Sequence, residues 1–184
     1  MATTRHALMT ADEFMLIDDD GRFDLLHGEL LSMSPTGGEH GEIASDLLVT
    51  LGIYVRRQRL GKLYIDETGF LLARNPDTVL CPDIGFVRTE RLPSRQERKG
   101  CMPLAPDLAV EIRSPTDRRP MIEHKVAAYQ AAGVPLIWVI EPAVRRIMVY
   151  TLGAEPRTLQ PGDTLTGGDL LPGFATPVAD VFEQ

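Results

Sequence analysis

From Pro106 to Tyr129 the chain reads PDLAVEIRSPTDRRPMIEHKVAAY, and this stretch restricts the possible folds more than any other. Strand side chains alternate, so across Asp107 to Arg113 one face carries Leu108, Val110 and Ile112 and the other Ala109, Glu111 and Arg113. A carboxylate and a guanidinium thus share a face. Ser114-Pro115 ends the strand, because proline has no N–H for a ladder and disfavours helix in the residue before it. Thr116 or Asp117 then caps a helix whose apolar stripe is Ile122, Val126 and Tyr129. Lys125 lies beside that stripe, which turns a cation toward the core. The apolar run from Pro135 to Ile140 reads as a strand covered on both faces, and strand, helix, strand in this order predicts a parallel crossover of right-handed sense.

A second acid stands upstream, in CPDIGFV. Pro82 is tolerated at the start of a strand, so Asp83 is expected at a strand mouth with Ile84 to Val87 running into the sheet. Two carboxylates from separate strands with a lysine nearby make a metal-dependent hydrolytic constellation: the carboxylates hold a hard cation, and the lysine orients water or neutralises phosphate charge. The same residues also allow a purely structural ion cluster.

Pro82-Asp83, the run Val110-Glu111-Ile112-Arg113-Ser114-Pro115, and Glu123-His124-Lys125 followed by Tyr129, Gly133 and Trp138 together resemble the Uma-two endonuclease family of the PD-(D/E)XK nuclease superfamily. HGELLSMSPTGGEHGEI (27–43) is similar to that family's amino-terminal segment and LLPGFATPVADVF to its closing one. The superfamily pattern expects lysine two residues after the glutamate, where this chain has Arg113. Arginine stays protonated, so the lysine's role falls to Lys125. The resemblance implies a restriction-endonuclease-like α/β fold, a mixed central sheet flanked by helices, and a metal-dependent endonuclease acting on DNA. Asp83 and Glu111 would bind Mg²⁺ or Mn²⁺ with the backbone carbonyl of Ile112, Lys125 would position water, Arg113 would contact a phosphate, and Glu29 would serve as a helper carboxylate. Two other readings stay open: a noncatalytic DNA-binding or assembly module on the same fold, or a hydrolase of another phosphoester such as RNA. Cutting both strands of a duplex takes two sites, so a homodimer is expected.

At 184 residues the chain suits one well-buried core, and 1–184 reads as a single domain. Its formal charge of −7 argues against a protein that coats nucleic acid nonspecifically. Cys81 and Cys101 provide neither a disulfide framework nor a four-cysteine metal site, and they read as reduced thiols in a cytoplasmic protein. MATTRHALMTADEF lacks the apolar run of a signal peptide, and no stretch reaches the length of a membrane span.

The remaining elements follow in order. Thr10 and Glu13 have capping-box spacing, so a short helix is expected there. Asp18-Asp19-Asp20-Gly21 reads as a turn, because an EF-hand register would put an acid where Leu16 stands. Phe23 to Leu26 and Glu29 to Met33 read as a hairpin about His27-Gly28, and Glu39 to Leu60 as the longest helix, with Ile43, Leu47, Leu51, Tyr54 and Val55 inward and Gly61 as its C-cap. His27-Gly28-Glu29 and His40-Gly41-Glu42 match half of a zinc deaminase signature without its thiolates, which excludes that class. Lys62 to Arg74 and Val79 to Val87 are expected as consecutive strands. Arg88 to Pro103 is a locally basic loop between the strands of Asp83 and Glu111 and the best candidate for contact with a nucleic-acid backbone. Arg145 to Thr151 reads as a further strand, and Gly153 to Gly173 as short strands and turns.

Overall fold

The structure, a computed structural model, describes residues 8–19, 21–114 and 119–183. In chain order the elements are α1 (Ala11–Phe14), β1 (Arg22–Leu26), β2 (Glu29–Met33), α2 (Gly38–Gln58), β3 (Gly61–Ile65), β4 (Phe70–Ala73), β5 (Thr78–Leu80) and β6 (Ile84–Arg88), then β7 (Leu108–Ile112), α3 (Arg119–Ala131) and β8 (Leu136–Glu141). β9 (Arg146–Thr151), β10 (Arg157–Leu159), β11 (Thr164–Gly167), β12 (Leu171–Pro177) and α4 (Val178–Phe182) complete them. The main sheet has the order β10-β9-β8-β7-β6-β3. Only β7 and β8 run parallel in it, joined through α3 as the strand, helix, strand pattern predicts. A second, antiparallel sheet has the order β2-β1-β5-β4.

The two faces of β7 divide the core as the alternation predicts. Leu108, Val110 and Ile112 pack with Ile43, Leu47 and Leu51 of α2 in one cluster, while Ala109 joins Ile122, Val126 and Tyr129 of α3 in another. Burying each large apolar side chain contributes about 2 kcal/mol, so the three inward residues of α3 suffice to seat that helix on the sheet. The polar Glu111 and Lys125 are carried into the interior with them. The cap expected at Thr116 or Asp117 lies outside the described residues.

Three local expectations change. The strands foreseen over Lys62 to Arg74 and Val79 to Val87 each divide in two, and the halves enter different sheets: β3 and β6 join the main sheet, β4 and β5 the second. Pro82, which cannot donate to a ladder, stands at the second crossing. Helix α2 ends earlier than foreseen, with Arg59 in the left-handed conformation as its C-cap. Gly61 instead opens β3, where a Cβ would stand 2.1 Å from the Val87 carbonyl oxygen, so the close approach of β3 to β6 requires glycine. The segment 88–103 is also more ordered than a plain loop. It holds two short 3₁₀ turns, Thr89–Arg91 and Glu97–Lys99, and Arg88 and Arg91 both bind the fully buried Asp107 at 3.0 and 2.8 Å.

The expected hairpin forms with His27 and Gly28 both at positive φ, the two-residue turn that matches strand twist. The Thr10–Glu13 capping box is present. Three short strands, β10 to β12, occupy the region after residue 153.

Candidate active site

Extending the β6–β7 ladder by one residue, from the pair Ile84 and Val110, sets Asp83 opposite Glu111. Directly opposed residues of an antiparallel pair share a face with Cβ atoms roughly 5 Å apart, so two acids from distant sequence positions meet. The Ile112 N–H donates to Asp83 Oδ2 at 2.7 Å, which fixes that carboxylate against β7. Lys125 and Tyr129, one turn apart on α3, divide the two oxygens of Glu111 between them. Lys125 Nζ donates to Oε2 at 2.6 Å and the Tyr129 hydroxyl to Oε1 at 2.7 Å.

A third carboxylate comes from the second sheet. Asp24 of β1 accepts the Cys81 N–H at Oδ1 (2.7 Å), and its Oδ2 lies 3.2 Å from Lys125 Nζ. Cys81 to Asp83 is where the chain crosses between sheets, so Asp24 and Asp83 are brought to the same junction. His40, in the first turn of α2, places Nε2 at 3.3 Å from Asp83 Oδ1. Asp24, Glu111 and Lys125 are at most 3% exposed. They stand at the base of a cavity of about 480 Å³ that Asp83, His40 and Ile112 also line.

Burial pushes Glu111 up to about 8, with Asp83 and Asp24 adding to the rise and Lys125 opposing it. For Lys125 burial acts downward, but Glu111, Asp24 and Asp83 outweigh it and hold the ammonium above its ordinary value. The two directions describe one cluster: a firmly charged lysine surrounded by more carboxylates than it can neutralise. Tyr129 is raised as well, by burial and then by Glu111, so its hydroxyl keeps its proton and donates it.

Two of the expected site residues stand elsewhere. Glu29 is exposed and pairs with Leu26 at the turn of the β1–β2 hairpin, whereas the cavity touches the hairpin's open end at Arg22 and Met33. Asp24 occupies the position of an additional carboxylate in its stead. Arg113 is also outside the cavity lining, with its guanidinium held by Glu141 at 2.5 Å and Glu141 held in turn by Arg146. Asp24 and His40 escaped the sequence reading, although both left a trace: an acid inside the apolar FDLL strand, and a histidine one turn before Ile43 on the buried stripe of α2.

The donor set suits a hard divalent ion. All three acids offer oxygen, and Asp24 Oδ2 is buried against Lys125 Nζ at 3.2 Å, the same ammonium that Glu111 uses, so one cation serves two carboxylates. Among the described residues no three His, Cys, Asp or Glu side chains group closely enough to hold an ion unaided. The arrangement therefore suits Mg²⁺-type binding, in which one or two carboxylates are supplemented by carbonyl oxygen and water.

Comparison with known proteins bears on the fold and the family. The fold matches the crystal structure of a putative nuclease of the DUF820 group from Anabaena variabilis, with a TM-score of 0.83, 20% identity, and coverage of 95% of this chain and 97% of that one. No curated protein matches at a significant level. The model of the Uma2 family, described as "Putative restriction endonuclease", matches residues 11–179. With its mixed sheet between helices and its restriction-endonuclease-like fold, the chain belongs to the Uma2 family.

Proposed function

We propose that this protein is a metal-dependent endonuclease that hydrolyses DNA phosphodiester bonds. The observation that carries the reading is Asp83, just before β6, bound by the Ile112 N–H next to Glu111 of β7, with Lys125 Nζ 2.6 Å from Glu111 and all of them lining one cavity. Asp83, Glu111 and the Ile112 carbonyl would hold Mg²⁺ or Mn²⁺. Such an ion, when bound, acidifies water and stabilises the charge that develops on phosphate. The residues around it do the rest. The Ile112 N–H and the Tyr129 hydroxyl fix the carboxylates before substrate arrives, so no reorganisation is needed as charge develops. Lys125 holds Glu111 and Asp24 together and presents the cavity's innermost positive charge, against which a water or a phosphate oxygen is oriented.

Labelled DNA incubated with Mg²⁺ or Mn²⁺ should be cut by the wild type. Asp83→Asn and Lys125→Ala should each lower turnover by about a hundredfold or more. Arg113→Ala should keep turnover within roughly threefold and lose stability instead, since it leaves the largely buried Glu141 without one of its two cations. Absence of cleavage by the wild type on every DNA form, with both alanine variants changed only in melting temperature, would make the cluster structural.

Two cuts in a duplex take two active sites, which C₂ symmetry supplies, so a homodimer belongs to the same reading. Sedimentation should show a dimer at tens of micromolar, roughly where a modest interface is filled; monomer alone there would remove this part.

A further inference from the structure

Resting on the endonuclease reading, we infer that the substrate is unpaired DNA, a loop, flap or frayed end, and that the cavity takes one flipped-out nucleotide with its base on an apolar wall and its phosphate at Asp83 and Glu111. Three observations carry this. The acids are recessed: Asp24 and Glu111 are at most 3% exposed, and the Asp83 side chain is 12% exposed. A paired duplex is stiff on this scale, with a persistence length of about 50 nm, and presents its phosphates on the outside of a rod. An unstacked nucleotide can enter where the rod cannot. The cavity's volume of about 480 Å³ lies within the range of pockets that enclose small organic ligands, roughly 300–1,000 Å³.

The charge around the cavity bears on paired and unpaired strands alike. Its described lining holds six acids against three cations, Arg22, Arg98 and Lys125. Arg22 is paired with Asp66, and Lys125 is enclosed by Glu111 and Asp24. The loop of residues 88–103 has turned Arg88 and Arg91 inward onto Asp107. Both duplex and single-strand binding use cations against phosphate, and Arg98, whose guanidinium bonds the Ser94 carbonyl, is the lining cation outside these ion pairs.

The cavity also offers apolar surface. Phe14, Met15 and Ile17 at the amino-terminal helix, Phe23 and Met33 of the hairpin, and Met121 of α3 line the same cavity. All six are partly or fully exposed, and Met15 is 47% exposed. Aromatic and thioether side chains beside a phosphate-cleaving centre form a stacking platform, which binds any base that is not already paired. An unpaired strand needs one cut at one site, so this substrate leaves the chemistry of the site unchanged whether or not the chain dimerises.

The test is binding, measured apart from cleavage. Fluorescence anisotropy in Ca²⁺ and in EDTA compares a labelled single strand of roughly 15 nucleotides with the blunt duplex of the same sequence. The single strand should bind the wild type at least about tenfold more tightly, and a 2-aminopurine in it should change intensity on stacking. Phe23→Ala should weaken single-strand binding about tenfold, and Met15→Glu, at an exposed position where folding is not at stake, should do the same. Duplex bound as tightly as single strand, no binding of either, or wall variants with unchanged affinity would overturn the inference. A parallel cleavage assay keeps the two readings separate. Preferential cutting of intact duplex overturns this inference and upholds the endonuclease, whereas tight single-strand binding without cutting any DNA overturns both, leaving the cavity a binding site for unpaired DNA and not a nuclease centre.

Discussion

Glu111 is the residue whose protonation governs the site, because it is buried among Asp83, Asp24 and Lys125. Its ordinary value of 4.5 rises to about 8 on folding, so between those pH values the folded protein holds a proton that the unfolded chain releases. This group's contribution to stability is therefore full below pH 4.5 and is lost as pH rises through about 8. A cation needs the ionised form, so Mn²⁺ binding should tighten as pH rises toward about 8 and release close to one proton within that window. Titration calorimetry in buffers of different ionisation enthalpy measures the proton count, and Glu111→Gln should abolish it; a wild-type count of zero at pH 6 contradicts the account. Glu111, Asp83 and Lys125 were legible in the sequence because each breaks a periodicity: an acid on a strand face, a Pro-Asp at a strand mouth, a lysine beside an apolar stripe. Asp24 broke a pattern too, but nothing local in FDLL says that its strand lies against α3. Glu29 had no such pattern behind it and stands outside the cavity.

At the scale of elements, a buried acid anchors the start of the segment between β6 and β7, while Met102 ties its far end to Gly69 and Leu71 through backbone bonds. Asp107 accepts the Arg88 backbone N–H at 2.9 Å and both the Arg88 and Arg91 guanidinium groups. Asp107→Asn removes the charge at the centre of these bonds and should cost about 2 kcal/mol or more. It should also raise amide exchange through 88–103 while leaving β8 protected, and unchanged exchange in the segment would show that Asp107 does not anchor it. The sequence reading found this segment's positive charge but not where that charge points, since the partner acid lies 16 and 19 residues away. Strand identity was legible in the same incomplete way. Alternation located the apolar runs of 62–74 and 79–87, but period two is the same in every sheet, so it could not show that each run leaves one sheet for another. Pro82 was the one local sign of the second crossing.

For the whole molecule, the junction of the two sheets is what makes the site. The main sheet supplies Asp83 and Glu111, the second sheet supplies Asp24, and α3, seated on the face that carries Glu111, delivers Lys125 into their midst. Among the described residues no helix is long and apolar enough to cross a membrane. The parallel β7–α3–β8 unit was readable because a continuous apolar strand, a proline stop and an amphipathic helix follow one another within 35 residues, from Asp107 to Glu141. Of the second sheet the β1–β2 hairpin was readable, but its pairing with β5 and β4 was not, because those strands are short and come from a distant segment. The central claim is that Asp83 and Glu111 share one divalent ion. Crystals soaked in Mn²⁺ test it through anomalous scattering. The account predicts one peak per chain within roughly 2.0–2.6 Å of a carboxylate oxygen of each residue, absent from Asp83→Asn crystals; no peak, or one that contacts neither acid, would contradict it.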